Sequence, residues 1–282
     1  MQNALTIDVE DYYQVSAFES VIQFEDWNRY ESRVERNTHH ILDILDEYKT
    51  MATFFVLGWV AEQQPKMVKA IHERGHEIAS HGYAHRKIYD QTPDQFRKET
   101  RQSKRILENI IGQPIIGYRA ASYSITRKSL WALDILKEEG FLYDSSIFPI
   151  HHDLYGMPGY QRFCHVLNGN GKDGLIEFPL STVRFAGMNI PIAGGGYLRL
   201  FPYAFTRWGI RRLNRKERQP VIVYLHPWEI DPQQPHIIAN ALSRFRHYLN
   251  LEKTEARLIR LLQDFQFAPI RQVLSRQYLI EV

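Results

Sequence analysis

The chain has 282 residues, 44% hydrophobic and 24% charged, which suits a soluble globular protein with one large core or two small ones. Its 35 Lys and Arg against 32 Asp and Glu leave a formal net charge of +3, too small to argue for a nucleic-acid partner. Cys164 is the single cysteine, so an intramolecular disulfide and a Cys-based zinc site are both excluded, and any metal must be held by His and carboxylates.

The N-terminus runs straight into a short apolar strand at 4–8 that ends in acids. No basic segment with an apolar h-region precedes it, and no stretch reaches the roughly 18 apolar residues of a membrane span, so the expectation is a cytoplasmic protein. Residues 37–48 have helical spacing at Ile41, Leu42 and Leu45, and 52–57 (ATFFVL) reads as a strand covered on both faces. Pro65 opens a helix that stops at Gly75, and a strand follows at 76–80.

The next helix is well punctuated: Thr92 is an N-cap, Pro93 takes the first helical position, and Gly112 closes the far end. Residues 115–118 read as a strand, and Thr126 caps a helix running to Gly140. Residues 150–200, dense in Gly, Pro and aromatics (YGMPGY, NGNGKDG, AGGGY), are expected to form a loop-rich insertion. The basic run Arg207, Arg211, Arg212, Arg215, Lys216 and Arg218 reads as a solvated helix face. VIVYL at 221–225 is the best late strand, 239–265 has long amphipathic helical character, and 237–282 reads as a C-terminal helical extension. This βαβα order predicts an α/β fold with a parallel sheet or barrel, in one domain over 1–282.

Four clusters of acids and histidines fall just after predicted strands, where sites form in parallel α/β folds. The first is Asp8-Val9-Glu10-Asp11, whose carboxylates repel one another unless a cation compensates. The second is His81-Gly82-Tyr83-Ala84-His85, where spacing i, i+4 would put both imidazoles on one face of a helical turn. The third, Gly117 to Tyr123, contains Arg119, whose planar fork suits it to orient a carboxylate. The fourth is His226-Pro227-Trp228 at the end of VIVYL. Each has an ordinary structural explanation when taken alone; their weight comes from their order.

In that order they read TIDVED, SHGYAH, RAASYS, YDSS and YLHP, and the set resembles the motifs of the polysaccharide deacetylase (NodB-homology, carbohydrate esterase 4) family over about residues 4–230. DVEDYY, HPWEID and HYLNLEKTEARL resemble most the branch found with exopolysaccharide biosynthesis and exosortase loci. The resemblance implies a distorted (β/α)7 barrel and a metal-dependent hydrolase that removes N-acetyl groups from N-acetylhexosamine units of a polysaccharide or its precursor.

It further implies Asp8 as general base, His226 as the acid that protonates the leaving amine, and Arg119 as the residue that orients Asp8. His81 and His85 would be metal ligands, and the backbone N–H near Ser122 an oxyanion donor. Val9 stands where the family places its metal Asp, so the third ligand is expected to be Asp11, with Glu10 as the alternative; Ala121 stands where the family has Pro. Tyr123 and Trp228, which flank these residues, are expected to stack on sugar. His and carboxylate ligands suit Zn²⁺ first, with Co²⁺ or Ni²⁺ as alternatives.

The partners expected are an N-acetylated glycan substrate, no nucleic acid, and peripheral contact with membrane-associated biosynthesis machinery. Two other functions fit the same residues: an allantoinase-like or cyclic-imide amidohydrolase on this barrel, and a catalytically silent carbohydrate-binding protein.

Overall fold

The computed structural model describes residues 1–167, 174–192 and 194–278. Most of the NGNGKDG stretch and the last four residues of the expected C-terminal extension lie outside them. The chain builds β1 (Gln2–Val9), β2 (Thr53–Val56), β3 (Glu77–Ser80), β4 (Gly117–Tyr118), β5 (Tyr143–Asp144), β6 (His165–Leu167), β7 (Leu175–Glu177), β8 (Thr182–Phe185), β9 (Met188–Pro191), β10 (Ile222–Leu225) and β11 (Gln266–Ala268). Seven of them run parallel in the order β10-β1-β2-β3-β4-β5-β7, and β6 closes the far edge antiparallel. The sheet curls into an open half-barrel, in line with the expected (β/α)7 architecture. Where β7 and β10 do not pair, Ser181 Oγ accepts from the N–H of Ile222 at 2.9 Å.

The helices between these strands are α1 (Val34–Glu47), α2 (Gly58–Gln63), α3 (Pro65–Glu73), α4 (Pro93–Ile111) and α5 (Trp131–Glu138). In α4 the cap is reciprocal: the Gln95 N–H donates to Thr92 Oγ1 at 3.3 Å, and the Thr92 N–H donates to Gln95 Oε1 at 2.9 Å. Gly112 ends it at φ 69°, a left-handed conformation that favours glycine.

Three expectations about the second half are corrected. Residues 150–200 are more than an insertion, because β7 pairs with β5 inside the central sheet, while β8 and β9 form a separate hairpin followed by α6 (Gly195–Leu200). The amphipathic stretch 239–265 is not one helix. After α7 (Tyr203–Arg212), it folds as α8 (Ala241–Tyr248) and α9 (Thr254–Asp264), separated at Asn250 with φ 52°. The C-terminal segment also joins the sheet: β11 pairs with β1 at residues 2–4, on the edge that β2 occupies further along, before α10 (Ile270–Tyr278) ends the described chain. Among the described residues no helix is long and apolar enough to cross a membrane.

Strand side chains alternate between two faces. Leu5, Ile7 and Val9 of β1 pack outward with Phe54, Val56, Ile78, Val223 and Leu225 against the helices. Ala4, Phe55, Ala79, Tyr143, Ile222 and Tyr224 fill the barrel interior. That alternation decides what stands at the top of the barrel.

Candidate active site

The inward series of β1 is Ala4, Thr6, Asp8, and it continues one residue past the strand to Glu10. The same parity carries inward Ala79 to His81, and Tyr224 to His226. These strands are parallel, so their carboxyl ends meet. Asp8, Glu10, His81, His85 and His226 line one cleft of about 640 Å³.

Arg119 lies fully buried behind the cleft floor. Its Nη1 donates to Asp8 Oδ1 at 2.6 Å and to Thr6 Oγ1 at 2.7 Å. Nη2 donates to Ser145 Oγ at 3.0 Å, Nε donates to the Ser145 carbonyl at 3.1 Å, and the guanidinium lies over the Phe55 ring at 4.1 Å. Four acceptors and a ring fix the fork in one place, which a lysine could not reproduce. The Tyr123 hydroxyl donates to Asp8 Oδ2 at 3.2 Å, so both oxygens of Asp8 are oriented.

His81, His85 and Glu10 each offer one ligand atom, and the three atoms lie within 4.8 Å of one another. The two histidines do not sit on a helical turn as their spacing suggested. The loop brings them together through left-handed backbone at Gly82 (φ 76°) and His85 (φ 51°). His81 Nδ1–H donates to the Arg119 carbonyl at 2.9 Å, leaving Nε2 bare; such a second-shell bond fixes the tautomer of a ligating histidine. Burial pushes the His81 imidazole down to about 4, which keeps it neutral. Burial would raise Glu10, but His85 and His226 outweigh that and hold its carboxyl well below the usual range. Glu10 Oε2 is buried and faces His85 Nε2 at 2.8 Å. A buried, ionised carboxylate beside two imidazoles is a donor set that fits a divalent cation.

His226 faces the same centre: its Nε2 is 3.5 Å from Glu10 Oε1 and 3.9 Å from Asp8 Oδ2. Its Nδ1 meets Glu229 Oε2 at 3.1 Å, and the same oxygen accepts the His226 backbone N–H at 3.0 Å. Arg199 holds the other oxygen of Glu229 at 2.6 Å. Burial works against a charged His226, but Glu229, Glu10 and Asp8 prevail and hold it at about 9. Glu229 and Arg199 were missed in the sequence. Glu229 stands in the HPWEID motif, three residues after His226, where a back-reaching capping acid is a legible signal.

Asp11 is brought elsewhere. As an odd-numbered neighbour of Glu10 it points outward, where its carboxylate accepts from Ser32 Oγ at 2.9 Å and from the N–H groups of Arg33 at 2.7 Å and Val34 at 3.1 Å. It caps the start of α1, and the acid beside the histidines is Glu10, the alternative. Tyr123 and Trp228 line the cleft but are each only 5% exposed, too enclosed for sugar-stacking platforms. Trp228 donates to Glu10 Oε1 at 3.2 Å and lies between the His226 and His247 rings. Ser122 is at the cleft in left-handed backbone (φ 51°), with its Oγ 2.6 Å from Ser16 Oγ.

Residues 16–141 match the family model described as polysaccharide deacetylase, and residues 145–275 match one described as a domain of unknown function (DUF3473). The cleft draws on both regions, because His81, His85 and Arg119 lie in the first and Glu229 and Arg199 in the second. Among curated relatives, a peptidoglycan-N-acetylglucosamine deacetylase from Bacillus cereus is 25% identical over 139 residues, 49% of this chain. The chain spans 62% of that relative's length. A Mycobacterium smegmatis crystal structure described as a polysaccharide deacetylase is similar at TM-score 0.62 and 24% identity, covering 97% of this chain and 88% of that one. An allantoinase structure is similar at TM-score 0.62 and 15% identity, covering 99% and 90%. At these identities the two structures speak for the fold alone.

Proposed function

From the match of residues 16–141 to the polysaccharide deacetylase family model and the geometry of the cleft, we propose that the chain is a metal-dependent N-deacetylase of N-acetylhexosamine units in a polysaccharide or its precursor, acting in exopolysaccharide biosynthesis. The observation that carries the reading is the meeting of a buried Arg119–Asp8 pair, a Glu10–His81–His85 donor set and the His226 imidazole on one cleft floor.

Amide hydrolysis needs an activated water, a stabilised oxyanion and a proton for the leaving nitrogen. Glu10, His81 and His85 would hold a divalent cation, Zn²⁺ first and Co²⁺ or Ni²⁺ next, which when bound acidifies water and polarises the acetyl carbonyl. Asp8 takes the proton of the attacking water on Oδ2, while Arg119 and Tyr123 hold that carboxylate in place. His226 keeps its Nδ1–H toward Glu229 and gives the proton on Nε2 to the departing amine. The N–H groups of Tyr123 and Ser124 already donate to the Ala120 and Ala121 carbonyls, so an oxyanion donor from this turn falls to Ser122.

Acetate release from N-acetylated oligosaccharides tests this, with protein stripped by chelator and restored with each metal. Release that needs the metal supports the reading. Turnover of allantoin in place of acetate release would favour the ring-amide hydrolase, and glycan binding without release the silent binding protein.

A further inference from the structure

The floor of the cleft is ionic, but its mouth is apolar. Leu200 at the end of α6, Leu242 and Phe245 on α8, and Leu154 from the loop before β6 all line it, with exposures of 48%, 55%, 56% and 40%. Four of the thirteen exposed large hydrophobic side chains among the described residues therefore ring one opening, where scattered single ones would be ordinary. Leu154, Leu200 and Leu242 offer nothing to sugar hydroxyls, and several of the polar groups beside them are held within the protein. Asn240 Oδ1 accepts from the Ser243 N–H at 2.9 Å, Arg246 meets Asp153 at 3.1 Å, and Glu19 pairs with Lys87. The collar is continuous with the floor, so a substrate whose sugar reaches Asp8 lays its next portion across these side chains.

We propose that the substrate class is an amphiphilic glycan, in which the N-acetylated sugar that enters the cleft is joined to a hydrocarbon chain that the collar seats. This rests on the deacetylase reading and narrows its substrate. The collar removes hydrocarbon from water at the mouth and fixes which sugar, the one nearest the chain, is presented to the floor. A membrane seated on the same residues without regard to substrate is the competing use of this surface.

The test compares an N-acetylated chito-oligosaccharide with the same oligosaccharide carrying an octyl aglycone, below its micelle concentration, using the metal-loaded protein. The octyl conjugate is expected to show a KM at least about tenfold lower, since burial of a few methylenes is worth that much. In the double variant Leu242→Ser with Phe245→Ser the ratio of the two KM values should fall toward one. In Phe185→Ser, a 62% exposed position on the β8–β9 hairpin and outside the cleft lining, it should stay as in the parent protein. Equal KM values for the two conjugates would overturn the inference while acetate release upheld the deacetylase. So would an octyl preference that survives the double substitution. Sedimentation with anionic phospholipid vesicles that depends on Leu242 and Phe245, with equal KM values, would assign the collar to a membrane instead. Acetate from neither conjugate would overturn the deacetylase reading and this inference with it.

Discussion

Arg119 Nη1 and Asp8 Oδ1 lie 2.6 Å apart at the base of the cleft, the arginine wholly buried behind the floor and the carboxylate nearly so. Burying such a pair is costly unless the remaining donors are satisfied, and Thr6 and Ser145 satisfy them here. The pair therefore acts as a fixed mount for Asp8. Arg119→Lys keeps the charge but gives up the fork, so kcat should fall about 100-fold, as for a displacement near 1 Å, with metal content retained. Steady-state kinetics with metal analysis of the same preparation checks this; parent-like kcat would show that charge alone suffices.

Glu10 and Asp11 should separate cleanly. Glu10→Gln removes the buried ionised oxygen between the histidines, and bound metal should drop well below one per chain. Asp11→Ala should keep its metal and instead lose about 2 kcal/mol of stability, the worth of a buried helix cap. Metal stoichiometry and urea unfolding on both variants decide it, and the opposite pattern would return Asp11 to the ligand set.

Tyr123→Phe keeps the ring and removes only the hydroxyl that donates to Asp8 Oδ2. An orienting role predicts kcat about tenfold lower with KM little changed, the effect of one hydrogen bond. A sugar-stacking role would leave both nearly as they are.

The charged His226 makes stability depend on pH. Its folded value of about 9 lies above the ordinary 6.5, so its contribution is present in full below 6.5 and disappears as pH rises through about 9. At about 1.4 kcal/mol per pH unit the loss is roughly 3 kcal/mol. Urea unfolding of chelator-treated protein at pH 6.5 and 9.5 should show it. Glu229→Gln should flatten the dependence, and an unchanged slope in that variant would show that Glu229 does not hold the imidazole charged.

Much of this was legible in the residues. The doubly apolar ATFFVL, the caps at Thr92 and Gly112, and the acids and histidines behind the strands placed the barrel and its active end. What failed did so for identifiable reasons. Residue type favours Asp11 as the ligand, although strand alternation continued from Asp8 puts Glu10 inside and Asp11 outside. Helical spacing misdescribed His81 and His85, because Gly82 and His85 adopt left-handed backbone that no periodicity announces. The short pairing of β11 with β1 depends on contacts more than 260 residues apart in sequence, which local patterns do not carry. Tyr123 and Trp228 were found as neighbours of the site, but their enclosure comes from tertiary packing.

The central claim is that one ion held by Glu10, His81 and His85 works with Asp8 as base. Its most direct test is Asp8→Asn, with metal content and acetate release measured on the same sample. The account predicts near one metal per chain and release reduced by about 10³-fold, in the range of losing an acid–base group. Loss of the metal together with activity would make Asp8 a ligand, and retained activity would contradict the account outright.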